Sequence, residues 1–294
     1  MNKCAILSMD CLDDFEAYDD LIIEPMRERG WECEWVSWRK NHVNWDAFDA
    51  VVVRTPWDYQ EDAQGFIKVL NAIDESSAHL ENNLATMLWN IDKIYLKELE
   101  QHQVQIVPTL WRETFDAQEL SHYFDHFNTD QIVLKPRVSA NADNTFWITK
   151  QNVEQHIEQM ASAFATREFM IQPFVEHVIS EGEFSLFYFN GHYSHAILKT
   201  PKQDDFRVQE EHGGRLQAIE PEAELVACAN KTLAALHALN GTPLYARVDF
   251  VRLGDSFALM EAELIEPSLY FNMDAHSPER FAQAFAERMS SITL

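Results

Sequence analysis

Arg247, Asp249, Glu261 and Glu263 stand close together in the stretch YARVDFVRLGDSFALMEAELIEPS, residues 245–268. Two strand-like runs flank Gly254-Asp255-Ser256, and a three-residue loop with a glycine predicts a hairpin. With that loop, Asp249 lies opposite Glu261 and Arg247 opposite Glu263. Side chains alternate between faces along a strand, so these four share one face. Ala246, Val248, Phe250, Ala258, Met260, Ala262 and Leu264 share the other, as a core face. Like charges directly opposed destabilise a sheet by up to roughly 1 kcal/mol per pair. A divalent cation would turn that repulsion into binding, and hard oxygen ligands suit Mg²⁺ or Mn²⁺. The residues alone leave a second reading open, a solvated hairpin face in an acidic chain.

Cations elsewhere would complete such a site. In QIVLKPRVSANADNTFWIT (131–149) an apolar strand delivers Lys135, then Pro136, a loop of small residues and a second strand. Such a unit can fold a flap over phosphates with backbone N–H donors. The loop has no glycine, although Asn141, Asp143 and Asn144 tolerate left-handed backbone angles. It is neither a P-loop nor a dinucleotide fingerprint. Lys93 sits near the start of a helix predicted over 89–103, with Asn90 as N-cap. FSLFYF-NG-HYSHAILK predicts a hairpin with Glu183 at one end and Lys199 at the other, His192 and His195 falling on opposite faces. The polar run 200–214, which carries Arg207, reads as a mobile loop over a site. RTPWDY (54–59) follows a strand's carboxyl end, where ligands collect in open α/β sheets. There Arg54 and Asp58 are candidates, or else the segment is a proline-directed turn anchored by Trp57 and Tyr59. No Gly-x-Ser-x-Gly element or assigned cysteine nucleophile occurs.

The elements that must position these residues follow from periodicity. A strand at 3–9, a helix at 21–29, strands at 31–38 and 48–54 and a helix at 61–74 predict a small α/β domain over 1–83. Residues 84–173 and 174–294 then form two further units, the last carrying an amphipathic helix (221–239), the acidic hairpin and a terminal helix from Pro278. At 294 residues the chain can bury a sizeable core. Its net charge of −25 argues against nucleic-acid or anionic-membrane partners, since phosphate backbones need Lys and Arg. Cys4, Cys11, Cys33 and Cys228 show no paired spacing for zinc or a disulfide framework. The short apolar run Ala5–Met9 is no signal or spanning segment, and the expected location is the cytoplasm.

The order of these elements resembles the ATP-grasp superfamily of ligases over nearly the whole chain. Lys93, Lys135 in VLKP, the small-residue loop, MIQPFV, Glu183, ARVDFV and MEAE carry that resemblance. RTPWDY, WNIDKIYL, KPRVSA, SHAILK, YARVDFV and ELIEPSLYF are similar to the O-ureido-serine cyclo-ligase branch. The resemblance implies an ATP-grasp fold, with the small α/β domain followed by two subdomains that clamp the nucleotide. It implies that Lys93 and Lys135 hold phosphates and that Gln172, Pro173, Phe174 and Val175 line an adenine pocket. Glu183 would bind ribose, and Asp249, Glu261 and Glu263 would bind Mg²⁺. Arg247 would face an acyl phosphate, and Lys199 and Arg207 would reach the γ-phosphate or a substrate carboxylate. The implied activity is ATP-dependent carboxylate–amine ligation of a small amino-acid-like substrate, releasing ADP. Cyclisation within one molecule and a non-catalytic nucleotide-binding protein are the alternatives. The flap departs from the family in lacking glycines, and Glu263 stands where many members have Asn.

Overall fold

The computed structural model describes residues 1–139, 142–203 and 205–292. Asn141, read above as a flap residue, lies outside the described residues.

Apolar runs too continuous to leave a face for water make the two central strands of the first sheet, whereas the edge strand at 31–37 mixes buried and exposed residues. The strands of this sheet are β1 (Asn2–Ser8), β2 (Trp31–Ser37), β3 (Ala50–Thr55) and β4 (His79–Glu81), all parallel in the order β2-β1-β3-β4. Helices α1 (Ile23–Glu28) and α2 (Ala63–Asp74) complete the βαβ pattern, and the Asp62 side chain caps α2 through the Gly65 N–H. Such strands, covered on both faces, read as unbroken Val/Ile/Leu runs. Val51, Val52 and Val53 are accordingly buried.

Two short helices follow, α3 (Leu84–Asn90) and α4 (Tyr95–Gln101). The single helix expected over 89–103 is thus broken at 91–94, and Asn83, not Asn90, is the N-cap, accepting from the Thr86 N–H. Asn90 instead donates to the Ala262 carbonyl (2.8 Å) and accepts from the Leu264 N–H (2.9 Å). A buried amide and a cap share one sequence signal because both roles satisfy orphan backbone groups. Tyr95, Leu96 and Leu99 of α4 bury in the core of the large C-terminal sheet.

The second sheet contains β5 (Leu110–Arg112), β6 (Gln131–Pro136), β7 (Phe146–Thr149) and β8 (Phe169–Pro173), ordered β5-β8-β6-β7 and antiparallel. Helices α5 (Leu120–Phe127) and α6 (Val153–Ala163) pack on it. After the one-turn α7 (His177–Ser180) comes the third sheet. It is built from β9 (Glu183–Phe189), β10 (His192–Thr200), β11 (Arg215–Ala218), β12 (Tyr245–Leu253) and β13 (Ser256–Glu263), in the order β11-β10-β9-β12-β13. Helix α8 (Ala223–Asn240) covers one face, and α9 (Ser277–Ile292) ties this sheet to the N-terminal one.

Asn190 and Gly191 both take positive φ (48° and 79°), as the Asn-Gly turn requires. A bulge between Tyr193 and His195 sets His192 opposite Phe189 and His195 opposite Phe187. The two histidines therefore share a face, contrary to simple alternation. No helix among the described residues is long and apolar enough to cross a membrane.

Candidate active site

A cleft lies between the second and third sheets, and Trp57 and Tyr59, from the turn after β3, also line it. Every one of the candidate residues Lys93, Lys135, Gln172, Pro173, Phe174, Val175, Glu183, Lys199, Arg207, Arg247, Asp249, Glu261 and Glu263 lines it. So do Trp57, Tyr59, Glu266, Ser268 and Tyr270, which were not assigned to a site from sequence.

The hairpin supplies the floor. Asp249 pairs with Glu261 and Arg247 with Glu263, as the sequence predicts, but by another route. Leu253 pairs with Ser256, so the loop is the two residues Gly254-Asp255. A bulge then absorbs Met260 between the Phe250–Leu259 and Asp249–Glu261 pairs, restoring the register. The bulge also reassigns side chains. Phe257 and Leu259 join the core beneath the sheet, whereas Met260 lines the cleft and Ala258 packs with Val107, Val175, Val178 and Val208. Ala258 and Met260 are therefore not core-face residues, because one extra residue flips alternation.

Charges on this floor are interlocked. Lys93 Nζ lies 2.8 Å from Glu261 and donates to the Ser139 carbonyl at 2.7 Å. Burial disfavours its ammonium, but Glu261, joined by Glu263 and Glu266, holds it above its usual range. Arg247 donates to Asp249 (3.0 Å) and to Glu263. Lys199 pairs with Glu183 and lies 3.5 Å from Asp249, which also accepts from the Ser185 hydroxyl. Burial, reinforced by Glu261 and Asp249, pushes Glu263 up to about 8 against the pull of Arg247. Lys135 differs from the other lysines. No ion pair involves it among the described residues, and burial, with Lys93 adding to it, draws its ammonium down against the attraction of Glu261 and Glu183. A cation placed beside another cation in a cleft is a receptor for an anion.

At the other end the cleft is apolar. Val107, Val133, Val175, Val178 and Met260 wall a slot beside Phe174, whose ring stacks on Trp147 at 4.5 Å. Gln172 is buried and donates to the Thr109 hydroxyl at 3.0 Å. The segment 205–214 borders the cleft. Its Phe206 meets Trp147 edge-on (5.6 Å), and the Tyr18 hydroxyl donates to Glu210 at 3.3 Å. Arg207 enters the cleft but is held by Asp205 at 2.9 Å.

Arg54 and Asp58 are not cleft residues. Arg54 is fully buried, paired with Asp19 and stacked over Tyr245. Asp58 accepts from Trp38 and Arg39. It is the aromatic members of RTPWDY, Trp57 and Tyr59, that reach the cleft. The signal for them was present in a strand-end turn, but charge drew the assignment to their neighbours.

Among the described residues, no three His, Cys, Asp or Glu side chains converge as a ready cluster. The donor chemistry nonetheless fits a hard divalent ion. Asp249, Glu261 and Glu263 offer only carboxylate oxygens to one cleft floor, and Lys93, Arg247 and Lys199 now neutralise them.

A cleft between two antiparallel sheets, with phosphate-type cations at one end and an apolar slot at the other, defines a nucleotide-clamping enzyme. A family model described as prokaryotic glutathione synthetase, ATP-grasp domain, matches residues 92–244. A second, described as D-cycloserine synthetase DcsG, N-terminal domain, matches residues 4–82. The chain is 32% identical over 285 residues to the cycloserine biosynthesis protein DcsG of Streptomyces lavendulae, spanning 91% of this chain and 92% of that protein. The crystal structure of D-cycloserine synthetase DcsG matches with a TM-score of 0.88 at 29% identity, covering 98% of this chain and 100% of that one. D-alanine–D-alanine ligase from Bacillus anthracis, complexed with ATP, shares the fold, with a TM-score of 0.68 at 16% identity over 99% and 98% of the two chains. The chain belongs to the ATP-grasp ligase family, whose members use ATP, and is a homologue of the cycloserine synthetase. It is an ATP-dependent ligase of the carbon–nitrogen bond-forming type.

Proposed function

We propose that this ligase phosphorylates the carboxylate of a small amino-acid-like substrate and joins it to a nitrogen nucleophile. A carboxylate is a poor electrophile. Transfer of the γ-phosphoryl group of ATP converts it to an acyl phosphate and releases ADP. Nitrogen attack at the acyl carbon then expels phosphate, and the nitrogen gives up its proton.

The reading rests on one observation above the others. In a chain of net charge −25, Lys93, Lys135, Lys199, Arg207 and Arg247 converge on a single cleft. Lys93 and Lys135 would hold the phosphates, and the slot formed by Gln172, Pro173, Phe174 and Val175 would take the adenine. Glu183 would accept from the ribose hydroxyls. Asp249, Glu261 and Glu263 would hold Mg²⁺ or Mn²⁺, which offsets charge on the transferring phosphoryl group. Arg247 would stabilise the developing oxyanion, with Lys199 and Arg207 completing the clamp. The 205–214 segment would exclude water from the activated carboxylate. Likeness to a cycloserine synthetase along the whole chain favours a second reading, in which carboxylate and nitrogen belong to one molecule and a ring closes.

Purified protein given ATP, Mg²⁺ and pools of amino acids and O-substituted serines is expected to release ADP in a substrate-dependent manner. Glu261→Gln is expected to abolish that release. AMP as the product would overturn the acyl-phosphate route, and nucleotide binding without turnover on any pool would overturn the ligase reading.

A further inference from the structure

The segment 264–270 is held in an unusual way. Six consecutive carbonyls each accept from a different side chain. Leu264 accepts from Asn82 (2.7 Å), Ile265 from the Tyr245 hydroxyl (2.9 Å) and Glu266 from Trp57 Nε1 (2.8 Å). Pro267 accepts from Arg54 (2.6 Å), Ser268 from Arg247 (3.2 Å) and Leu269 from His195 Nε2 (3.0 Å). The donors come from the N-terminal sheet, its exit strand and the large sheet. A stretch with no ladder of its own is thereby fixed as firmly as a strand. Its side chains alternate: Pro267 and Leu269 are buried, whereas Glu266, Ser268 and Tyr270 line the cleft.

This wall shares the cleft with Trp57, whose Nε1 donates to the Glu266 carbonyl, and with Tyr59 of the N-terminal domain. Its carboxylate is set apart from the others. Glu183, Asp249, Glu261 and Glu263 each carry an ion pair with Lys199, Arg247 or Lys93. Among the described residues Glu266 makes no such contact pair: Lys93, which sits 2.8 Å from Glu261, attracts it only from farther off, and the Tyr59 hydroxyl is its hydrogen-bond partner. A carboxylate drawn out of water with no cation in contact is unfavourable unless something supplies one. Aromatic faces beside it suit a cation as well.

We propose that Glu266, framed by Trp57, Tyr59 and Tyr270, is the counter-ion subsite for the ammonium group of an amino-acid substrate. The proposal rests on the ligase reading above, which puts the substrate's carboxylate at Arg247. Arg247 also holds the Ser268 carbonyl, so one guanidinium would fix both the reacting carboxylate and the wall that recognises the other end. A zwitterion fits between them, and an α-hydroxy acid leaves Glu266 unpaired. The cleft would therefore select for α-amino acids by the penalty of an unsatisfied carboxylate.

The test compares wild type and Glu266→Gln in ADP release, with a panel of free and O-substituted α-amino acids and their α-hydroxy counterparts. ATP binding to each protein is measured separately and reports an intact cleft. Wild type is expected to favour the amino over the hydroxy compound in kcat/KM by at least about a hundredfold. Glu266→Gln is expected to raise KM for the amino acid by at least about tenfold and to erase most of that preference. If Glu266→Gln binds ATP and discriminates as wild type does, the subsite is wrong and the ligase reading stands. If wild type binds ATP and turns over no amine-bearing compound, the ligase reading fails and takes the subsite with it.

Discussion

Asp249 faces Glu261 across the acidic hairpin because Met260, the residue between the Leu259 and Glu261 pairings, is bulged out of the ladder. A two-residue turn alone would set Asp249 opposite Met260. The bulge thus does two things, aligning carboxylates and turning a thioether into the cleft beside Val107 and Val175. Met260→Ala is expected to weaken nucleotide binding roughly tenfold, from about 1–2 kcal/mol of lost apolar contact. Global stability should change little, since Met260 is only half-buried. Titration calorimetry with an ATP analogue, beside a urea melt, checks both parts.

Lys135 and Lys93 make a contrasting pair. Lys93 is neutralised by Glu261, whereas Lys135 is drawn down by burial and has no ion pair among the described residues. Removing a cation that burial disfavours and no ion pair holds should not destabilise the apo protein. Lys135→Met is expected to unfold at the same or higher denaturant concentration and to lose roughly 10- to 100-fold in nucleotide affinity. Lost stability together with unchanged affinity would assign Lys135 to the scaffold.

Arg54 is a scaffold residue despite its place at a strand end beside the cleft. It is 0% exposed and satisfies Asp19, the Pro267 carbonyl and the face of Tyr245. Arg54→Ala would leave Asp19 buried without its partner, a loss of about 3–5 kcal/mol. Denaturant unfolding should register that loss in the absence of any nucleotide.

His195 is stacked on Phe187 at 4.2 Å and donates from Nε2 to Leu269. Burial lowers its pKa to about 4, opposed by the Leu269 carbonyl and Asp274. A folded pKa below the unfolded value of 6.5 means that the unfolded chain binds more protons between those values. Stability from this residue is therefore complete above about pH 6.5 and is lost as pH falls towards 4, by about 3 kcal/mol in all. His195→Gln is expected to show a shallower decline in unfolding free energy over that window than wild type.

The Tyr18 hydroxyl tethers Glu210 of the 205–214 segment to the N-terminal domain, while Phe206 rests on Trp147 of the second sheet. Tyr18→Phe keeps the ring and removes the tether. Substrate-independent ATP hydrolysis should rise roughly two- to fivefold, from about 0.5–1 kcal/mol of lost closure. Hydrolysis unchanged by the substitution would show that closure does not depend on this contact.

Local pattern alone carried most of the fold. Continuous valine runs read as parallel strands because both faces are covered, and Asn190-Gly191 read as a type I′ turn because both φ angles must be positive. The residues that meet in the cleft were legible too, since each cation or carboxylate sits at the end of a recognisable element. Three things were not legible: the bulge at Met260, the break at 91–94 and the wall at 264–270. A bulge adds a residue without altering composition. A helix broken in the middle keeps its helical periodicity on either side. A segment whose carbonyls are satisfied by Asn82, Tyr245, Trp57, Arg54, Arg247 and His195 has no local signature at all. Sequence determined which charges this protein has and which strands carry them. Tertiary structure alone decided which of them are compensated, because ion pairing and desolvation depend on neighbours many residues away in the chain, and that leaves Lys135 and Glu266 facing the cleft without ion pairs among the described residues.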